Sequence, residues 1–347
     1  MRPADVPLLA PAAALLAAAV DDGRLPAAVL EVGTVSGAAE RLAFGAPSEA
    51  VFDLASLTKV LGTGVLATHL LGRRLLDPDV PVRALVPEWR GADRGSVRLR
   101  DLLAHASGLP AHLPLFERHR GSEAMVAACA RAPLAHAPRT ASTYSDLGFI
   151  VLGRVLEAIT ESPLDEQVHT VLDWLSDDAP RFGPRPCTPE VQATGLSPWR
   201  GRLLCGEVHD DNAAAMGGVA GHAGLFGTAR GVGDIARAVL RGLQGGDSPL
   251  APSWAVRAFA RRSPVPGSSR ALAWDTGLPT SSCGPYLSRQ AIGHTGFTGT
   301  SVWIDPTRDL YVVLLTNRVA GRATSNDIAD LRRAVHTAIG AAWADRS

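Results

Sequence analysis

The chain of 347 residues has a single lysine. Lys and Arg together number 34, and Lys59 is the only lysine, so 34 − 1 = 33 basic residues are arginine. A surface charge does not need lysine, because arginine serves as well. Arginine does not release its proton at ordinary pH, whereas a lysine ammonium can be tuned by burial and neighbouring charge. The lone lysine marks either a place where a proton must cycle or the last remnant of an arginine-favouring composition.

Other scarcities exclude more. The formal net charge is zero and no basic stripe exceeds scattered Arg pairs such as Arg73-Arg74, so the electrostatic footprint of nucleic-acid binding is missing. Four cysteines, Cys129, Cys187, Cys205 and Cys283, form no C-x-x-C pair and have no histidine at zinc-finger spacing. They read as small buried apolar residues of a reduced, cytosolic protein rather than as staples. No segment reaches about 18 uninterrupted apolar residues, which argues against a membrane span. The opening "MRPADVPLLAPAAALLAAAV" imitates a signal peptide, but Asp5 spoils its basic leader and Pro11 interrupts its apolar stretch. A helix from about Pro11 to Asp22, ended by Gly23, is the preferred reading, with a secreted or periplasmic location left open.

What is present describes an ordinary globular protein, with 46% hydrophobic and 20% charged residues. The length favours two lobes over one core. After Gly23, "AAVLEVGTVSGAAERLAFG" reads as a hairpin turning near Ser36-Gly37. "ASLTKVLGTGVLATHLLGRRLL" is apolar on most faces, the pattern of a buried helix. Helix-period pieces dominate the middle of the chain, and the proline-rich stretch 178–202 reads as a long irregular loop. Short β-rich runs then return, "AIGHTGFTG", "TSVWIDP" and "LYVVLLTNR" among them, before a final helix near Ser325 to Trp343. The expected class is α+β. Residues 1–75 and 256–347 would form a discontinuous sheet lobe and 76–255 a helical lobe, with a small-molecule site in the cleft between them.

Ser56 precedes Lys59 by three positions, so on a helix hydroxyl and amine share one face. A helix opening near Ala55 would depress the Lys59 pKa with its positive end. A neutral Lys59 could then take the proton of Ser56 and make it a nucleophile. "TYSDLGF" adds Tyr144 and Asp146 just before a helical run, and "GHTGFTGT" adds His294, Thr295 and Gly296 on a glycine-rich strand.

In this order, Ser56-Leu57-Thr58-Lys59, Tyr144-Ser145-Asp146 and His294-Thr295-Gly296 resemble the S-x-x-K, Y-x-N and K-T-G boxes of serine β-lactamases and penicillin-binding proteins. The tyrosine-type second box is similar to the class C branch with its esterases and D-peptidases. "LRDLLAHASGLP", "GGVAGHAGLFGTA" and "GTSVWIDPTRDLYVVLLTNR" extend the resemblance to about residues 25–340. It implies a β-lactamase/transpeptidase-like fold, an antiparallel sheet flanked by N- and C-terminal helices plus an inserted helical lobe. It also implies roles. Ser56 attacks a carbonyl to form an acyl-enzyme, and Lys59 and Tyr144 share the acid and base duties, with nearby cations holding Tyr144 as a partial phenolate. His294 joins the catalytic set. Thr295 and Gly296 border the substrate, and the N–H groups of Ser56 and Phe297 form the oxyanion hole. The route needs no metal or organic cofactor, and the only partner it implies is a small-molecule substrate.

Two departures bear on the substrate. His294 stands where β-lactamases carry lysine, so its charge depends on pH. Asp146 stands where asparagine is usual; ionised, it only accepts hydrogen bonds and could hold Lys59 charged, passing base work to Tyr144. Both count against β-lactam turnover and leave ester, amide or D-amino-acid peptide hydrolysis ahead of it. A non-catalytic ligand-binding scaffold of the same fold is the alternative of another class. "EVHDDN", with His209, Asp210 and Asp211, lacks a second spaced histidine pair and is not read as a metal site.

Overall fold

The strands near the two ends of the chain build one sheet. In the computed structural model, which describes residues 7–344, α1 (Ala10–Asp21) is followed by β1 (Ala28–Gly33) and β2 (Glu40–Phe44). Asp5, invoked above against a signal peptide, lies outside the described residues. Next come β3 (Phe52–Asp53), α2 (Val65–Gly72), α3 (Leu99–Leu103), α4 (Ser122–Arg131), α5 (Asp146–Thr160) and α6 (Leu164–Leu172). The middle closes with β4 (Arg181–Phe182), β5 (Ala193–Ser197), β6 (Arg202–Cys205), α7 (Asp211–Ala215), β7 (Leu225–Gly227), α8 (Ala229–Leu243) and α9 (Ser253–Ala260). β8 (Asp275–Thr276), β9 (Ile292–Thr295), β10 (Ser301–Asp305), β11 (Leu310–Thr316) and α10 (Ser325–Ala344) complete the chain.

The main sheet runs β2-β1-β11-β10-β9-β8, antiparallel throughout, with Ala28 opposite Thr316. Its strands serve two cores by simple alternation. On β11, Tyr311, Val313 and Leu315 enter the core shared with the helices of the middle segment, while Leu310, Val312 and Leu314 enter the core under α1 and α10. A strand buried on both faces reads as a continuous apolar run, which is why "LYVVLLT" shows no polar alternation. Helix α8 falls within 76–255 in the sequence but packs on β1, β10 and β11, so the sheet takes one of its covering helices from the middle segment.

Three expectations are corrected. The stretch 178–202 is not wholly irregular: β5 pairs with β6 in a hairpin, with a register shift between Ala193 and Gly195. Gly195 has φ +102°, a conformation that an L side chain rarely adopts, so the strand tolerates the irregularity there. Cys187 and Cys205 are joined in a disulfide across this segment, contrary to the reading of all four cysteines as free; Cys129 and Cys283 are free and buried. Proline-rich chain offers few ladder hydrogen bonds, and a cross-link ties it to the hairpin instead. The helix carrying Lys59 also differs, being a single 3-10 turn at Ala55–Leu57, then a wide π-helical turn at Lys59–Gly64, and only then α2. Gly64 belongs to this turn because a Cβ there would stand 2.8 Å from the Lys59 carbonyl and 2.9 Å from Ala273 Cβ. Local widening of this kind is frequent at functional sites.

Candidate active site

A cleft of about 700 Å³ opens beside the 3-10 turn at Ala55–Leu57. Ser56, Tyr144, Asp146, His294, Thr295, Gly296 and Phe297 all line it. Lys59 sits behind them with a fully buried side chain. Its Nζ donates to Ser56 Oγ at 3.0 Å, to Asp146 Oδ1 at 2.7 Å and to the His222 carbonyl at 3.3 Å. The three sequence-distant boxes therefore meet, and Lys59 is their junction.

Each box is held by its own local structure. Asp146 opens α5, where the positive end of the helix favours its charge. Ser145 caps that helix by accepting the Gly148 N–H at 3.2 Å, and its hydroxyl donates to the Pro110 carbonyl at 2.7 Å. The Ser145 N–H donates to His105 Nδ1 at 3.0 Å, and the His105 ring packs 4.7 Å from that of Tyr144, so His105 is the structural hydrogen-bonder that aims the second box. On the strand side, His294 is the penultimate residue of β9, opposite Val302 of β10. The glycine turn after it is pinned by Gly296 N–H to the Thr300 carbonyl at 2.7 Å.

The charge states differ from the helix-end expectation. Burial opposes a charge on Lys59, but Asp146 and Tyr144 outweigh it and raise the Lys59 pKa above its ordinary value. Burial likewise opposes charge on Asp146, yet Lys59, with His112 assisting, holds its carboxyl far below the usual carboxylate range. Lys59 is thus an ammonium, and the depressed lysine predicted from the helix terminus is overturned by a carboxylate 2.7 Å away. Of the two branches drawn from the sequence, the one in which Asp146 keeps Lys59 charged is the one that the electrostatics favour.

His294 goes the other way. Burial, then Arg270 and Lys59, push its pKa well below the ordinary value, so it is neutral at pH 7. Its Nδ1 lies 2.8 Å from the Thr295 carbonyl, which can only accept, so Nδ1 carries the proton and Nε2 presents a lone pair. That Nε2 and the Tyr144 hydroxyl are both buried without a hydrogen-bond partner among the described residues, and their rings are 5.6 Å apart. Lys59 Nζ lies 4.7 Å from the Tyr144 ring centre and the Arg270 guanidinium 5.0 Å from it.

Sequence reasoning missed four residues here. His112 Nδ1 stands 3.5 Å from Asp146 Oδ2, a contact that raises the His112 pKa. Arg270, Arg318 and Arg332 line the opposite wall. Arg318 donates to the Phe297 carbonyl at 2.7 Å, while Arg332 donates to the carbonyls of Gly299, at 3.3 Å, and Gly296. Both are buried, and among the described residues neither has a carboxylate partner. Burial lowers both pKa values, that of Arg332 to about 9. In a chain with 33 arginines, nothing in the sequence sets these three apart.

Known proteins share this arrangement of chain. A family model described as beta-lactamase matches residues 12–336. A protein of Salmonella gallinarum (strain 287/91 / NCTC 13346) named "Putative D-alanyl-D-alanine carboxypeptidase" is 31% identical over 316 residues, covering 79% of this chain and 70% of that protein. Among solved structures, SurE with D-Leu superposes with a TM-score of 0.72 at 25% identity, covering 96% of this chain and 75% of that one. A mutant simvastatin synthase of Aspergillus terreus gives 0.74 at 19% identity, covering 99% and 97%, a likeness of fold alone.

Proposed function

The chain belongs to the beta-lactamase family and is a serine hydrolase of that family, and we propose that its substrate is a D-amino-acid peptide whose leaving group ends in a free carboxylate. The observation that carries this reading is the pair of buried guanidiniums, Arg318 and Arg332, beside the glycine turn. A buried cation without a counter-charge is costly, and a substrate carboxylate arriving there would offset that cost. The relatives named as D-alanyl-D-alanine carboxypeptidases support the same substrate class.

The proposed mechanism assigns a step to each side chain. Ser56 Oγ attacks the scissile carbonyl, and the backbone N–H groups of Ser56 and Phe297 receive the oxyanion. Lys59, already protonated, cannot act as the base. Tyr144 takes the Ser56 proton, with Lys59 Nζ and the Arg270 guanidinium flanking its ring. It then returns the proton to the leaving nitrogen. His294 offers Nε2 as an acceptor beside Tyr144, and Thr295 and Gly296 border the leaving group. Water then repeats the sequence on the acyl-enzyme and frees Ser56. Asp146 accepts hydrogen bonds only, so it suits a substrate that presents an N–H there, not the amide carbonyl of a penicillin side chain.

The division into a sheet lobe (1–75 and 256–347) and a helical lobe (76–255) stays part of this reading, with α8 as a shared layer. No helix among the described residues is long and apolar enough to cross a membrane. The Cys187–Cys205 bridge favours an oxidising compartment over the reduced cytosol inferred from cysteine spacing.

The test is a steady-state comparison of N-acylated D-Ala-D-Ala, the same peptide amidated at its C-terminus, and a penicillin. The reading expects the free acid to exceed its amide by about tenfold or more in kcat/KM, the worth of one charge-assisted contact. Equal rates for acid and amide would remove the carboxylate site.

A further inference from the structure

We propose that Asp53 is a positioning residue whose ionised carboxylate sets the turn that presents Ser56 and ties it to the loop carrying His209, so that acylation requires Asp53 to be ionised. The geometry is closed on every side. Asp53 ends β3 and is buried. Its Oδ1 accepts the Ala55 N–H at 2.8 Å and its Oδ2 accepts the His209 N–H at 2.7 Å. Ala55, the residue before the nucleophile, has φ +48°, a left-handed conformation that a non-glycine residue adopts only when its surroundings impose it. The carboxylate is the side chain that holds that peptide. The main chain on either side is held too: Thr298 Oγ1 donates to the Asp53 carbonyl at 2.8 Å and Thr300 Oγ1 to the Leu54 carbonyl at 3.1 Å.

The second arm reaches the opposite rim of the cleft. His209 packs its ring 5.3 Å from that of Phe297, whose N–H is assigned above to the oxyanion hole. One buried carboxylate thus couples the peptide before Ser56 to the loop that leans on Phe297. Two N–H donors converge on it, and the ionised form accepts both through two equivalent, fully charged oxygens. Protonation turns one oxygen into a hydroxyl, a donor and a much poorer acceptor, which weakens one arm.

The ionisable groups facing Asp53 are Asp210 and His209 from the loop and Arg200 from the β5–β6 hairpin; β7 faces it with Phe226, which carries no charge. Burial pushes the Asp53 pKa up to about 6, against the two N–H groups and Arg200, with Asp210 adding to the rise. A carboxyl whose folded pKa lies above its ordinary 3.8 binds its proton more tightly when folded. Its contribution to stability is therefore greatest below about pH 4 and is lost as pH rises through about 6, the same interval in which the clamp forms. Activity and stability should move in opposite directions across that window.

The experiment records kcat/KM for a p-nitrophenyl ester and the Tm from pH 4.5 to 8, for wild type and Asp53→Asn. Wild type should gain activity with a midpoint near 6. Asp53→Asn should lose that limb, run about tenfold slower at pH 7.5 and keep a Tm there equal to or above wild type, while any limb from His112 above 6.5 persists in both. An Asp53→Asn enzyme that keeps the limb near 6, or loses activity and Tm together, would overturn the proposal. If that variant does not fold, wild type alone decides. The amide resonances of Ala55 and His209 should titrate together with one midpoint near 6, and separate or absent titrations would refute the coupling.

Discussion

The two walls of the cleft treat buried nitrogen in opposite ways. On the helix side, Lys59 is fully buried and stays charged, because Asp146 is 2.7 Å away and the N-terminus of α5 favours that carboxylate. On the strand side, His294 is equally enclosed and goes neutral, because its charged neighbours are Arg270 and Lys59. Desolvation opposes charge at both positions, and the nearest counter-charge decides the outcome. Positive charge on the strand side therefore belongs to guanidiniums, and the proposed mechanism moves the proton through Tyr144 between the walls.

The largest expected effect breaks the helix side. Lys59→Arg should reduce acylation of Ser56 by on the order of a thousandfold, since a guanidinium on a bulkier stem cannot reproduce the contact with Ser56 Oγ. The side chain is fully buried, so overpacking by the bulkier guanidinium should also cost about 1–3 kcal/mol, read by thermal unfolding. A Lys59→Arg enzyme with normal burst acylation would show that Lys59 only fills space.

Asp146→Asn sharpens the comparison by removing the counter-charge. It should cost about 3 kcal/mol at neutral pH, because an uncompensated buried ammonium remains. Asp146, depressed, contributes stability above its ordinary 3.8 that is lost as pH falls; Lys59, raised, contributes below its ordinary 10.5. The stability gap between wild type and variant should accordingly be constant from pH 5 to 9 and close in acid. The new amide donor should also raise penicillin acylation by about tenfold, measured as the rate of adduct formation.

His294→Lys tests the strand side. A third cation beside Arg270 and Lys59 should lower stability by about 2 kcal/mol without moving the Lys59–Asp146 pair. A neutral or stabilising result would mean that His294 is already charged. Reduction of Cys187–Cys205 should matter least to turnover, changing it less than about twofold. The 18-residue loop predicts a stability loss near 3 kcal/mol at most, visible as faster proteolysis of the β5–β6 hairpin.

The sequence made the family-like boxes and the two-ended sheet legible because both depend on residue type at fixed spacing. Ser56, Lys59, Tyr144, Asp146 and His294 stand out as chemistry in short motifs, and "LYVVLLTNR" announces a strand buried on both faces. The charge state of Lys59 was legible only as two open branches, since Lys59 and Asp146 are 87 positions apart and the 2.7 Å contact that decides between them exists only in the fold. Arg318 and Arg332 were invisible for the opposite reason, being common residues set apart by the carboxylate they lack nearby, and Arg270 is one arginine among 33 until the fold brings it to the Tyr144 ring. The disulfide and the π-helical turn depend on tertiary proximity and close packing, which periodicity does not record.

The most direct test is the intact mass of wild type and Ser56→Ala after incubation with a fluorophosphonate. A single adduct on wild type, absent from a folded Ser56→Ala protein, is the predicted result. An adduct that persists in Ser56→Ala, or none on folded wild type, would contradict Ser56 as the nucleophile on which the account rests.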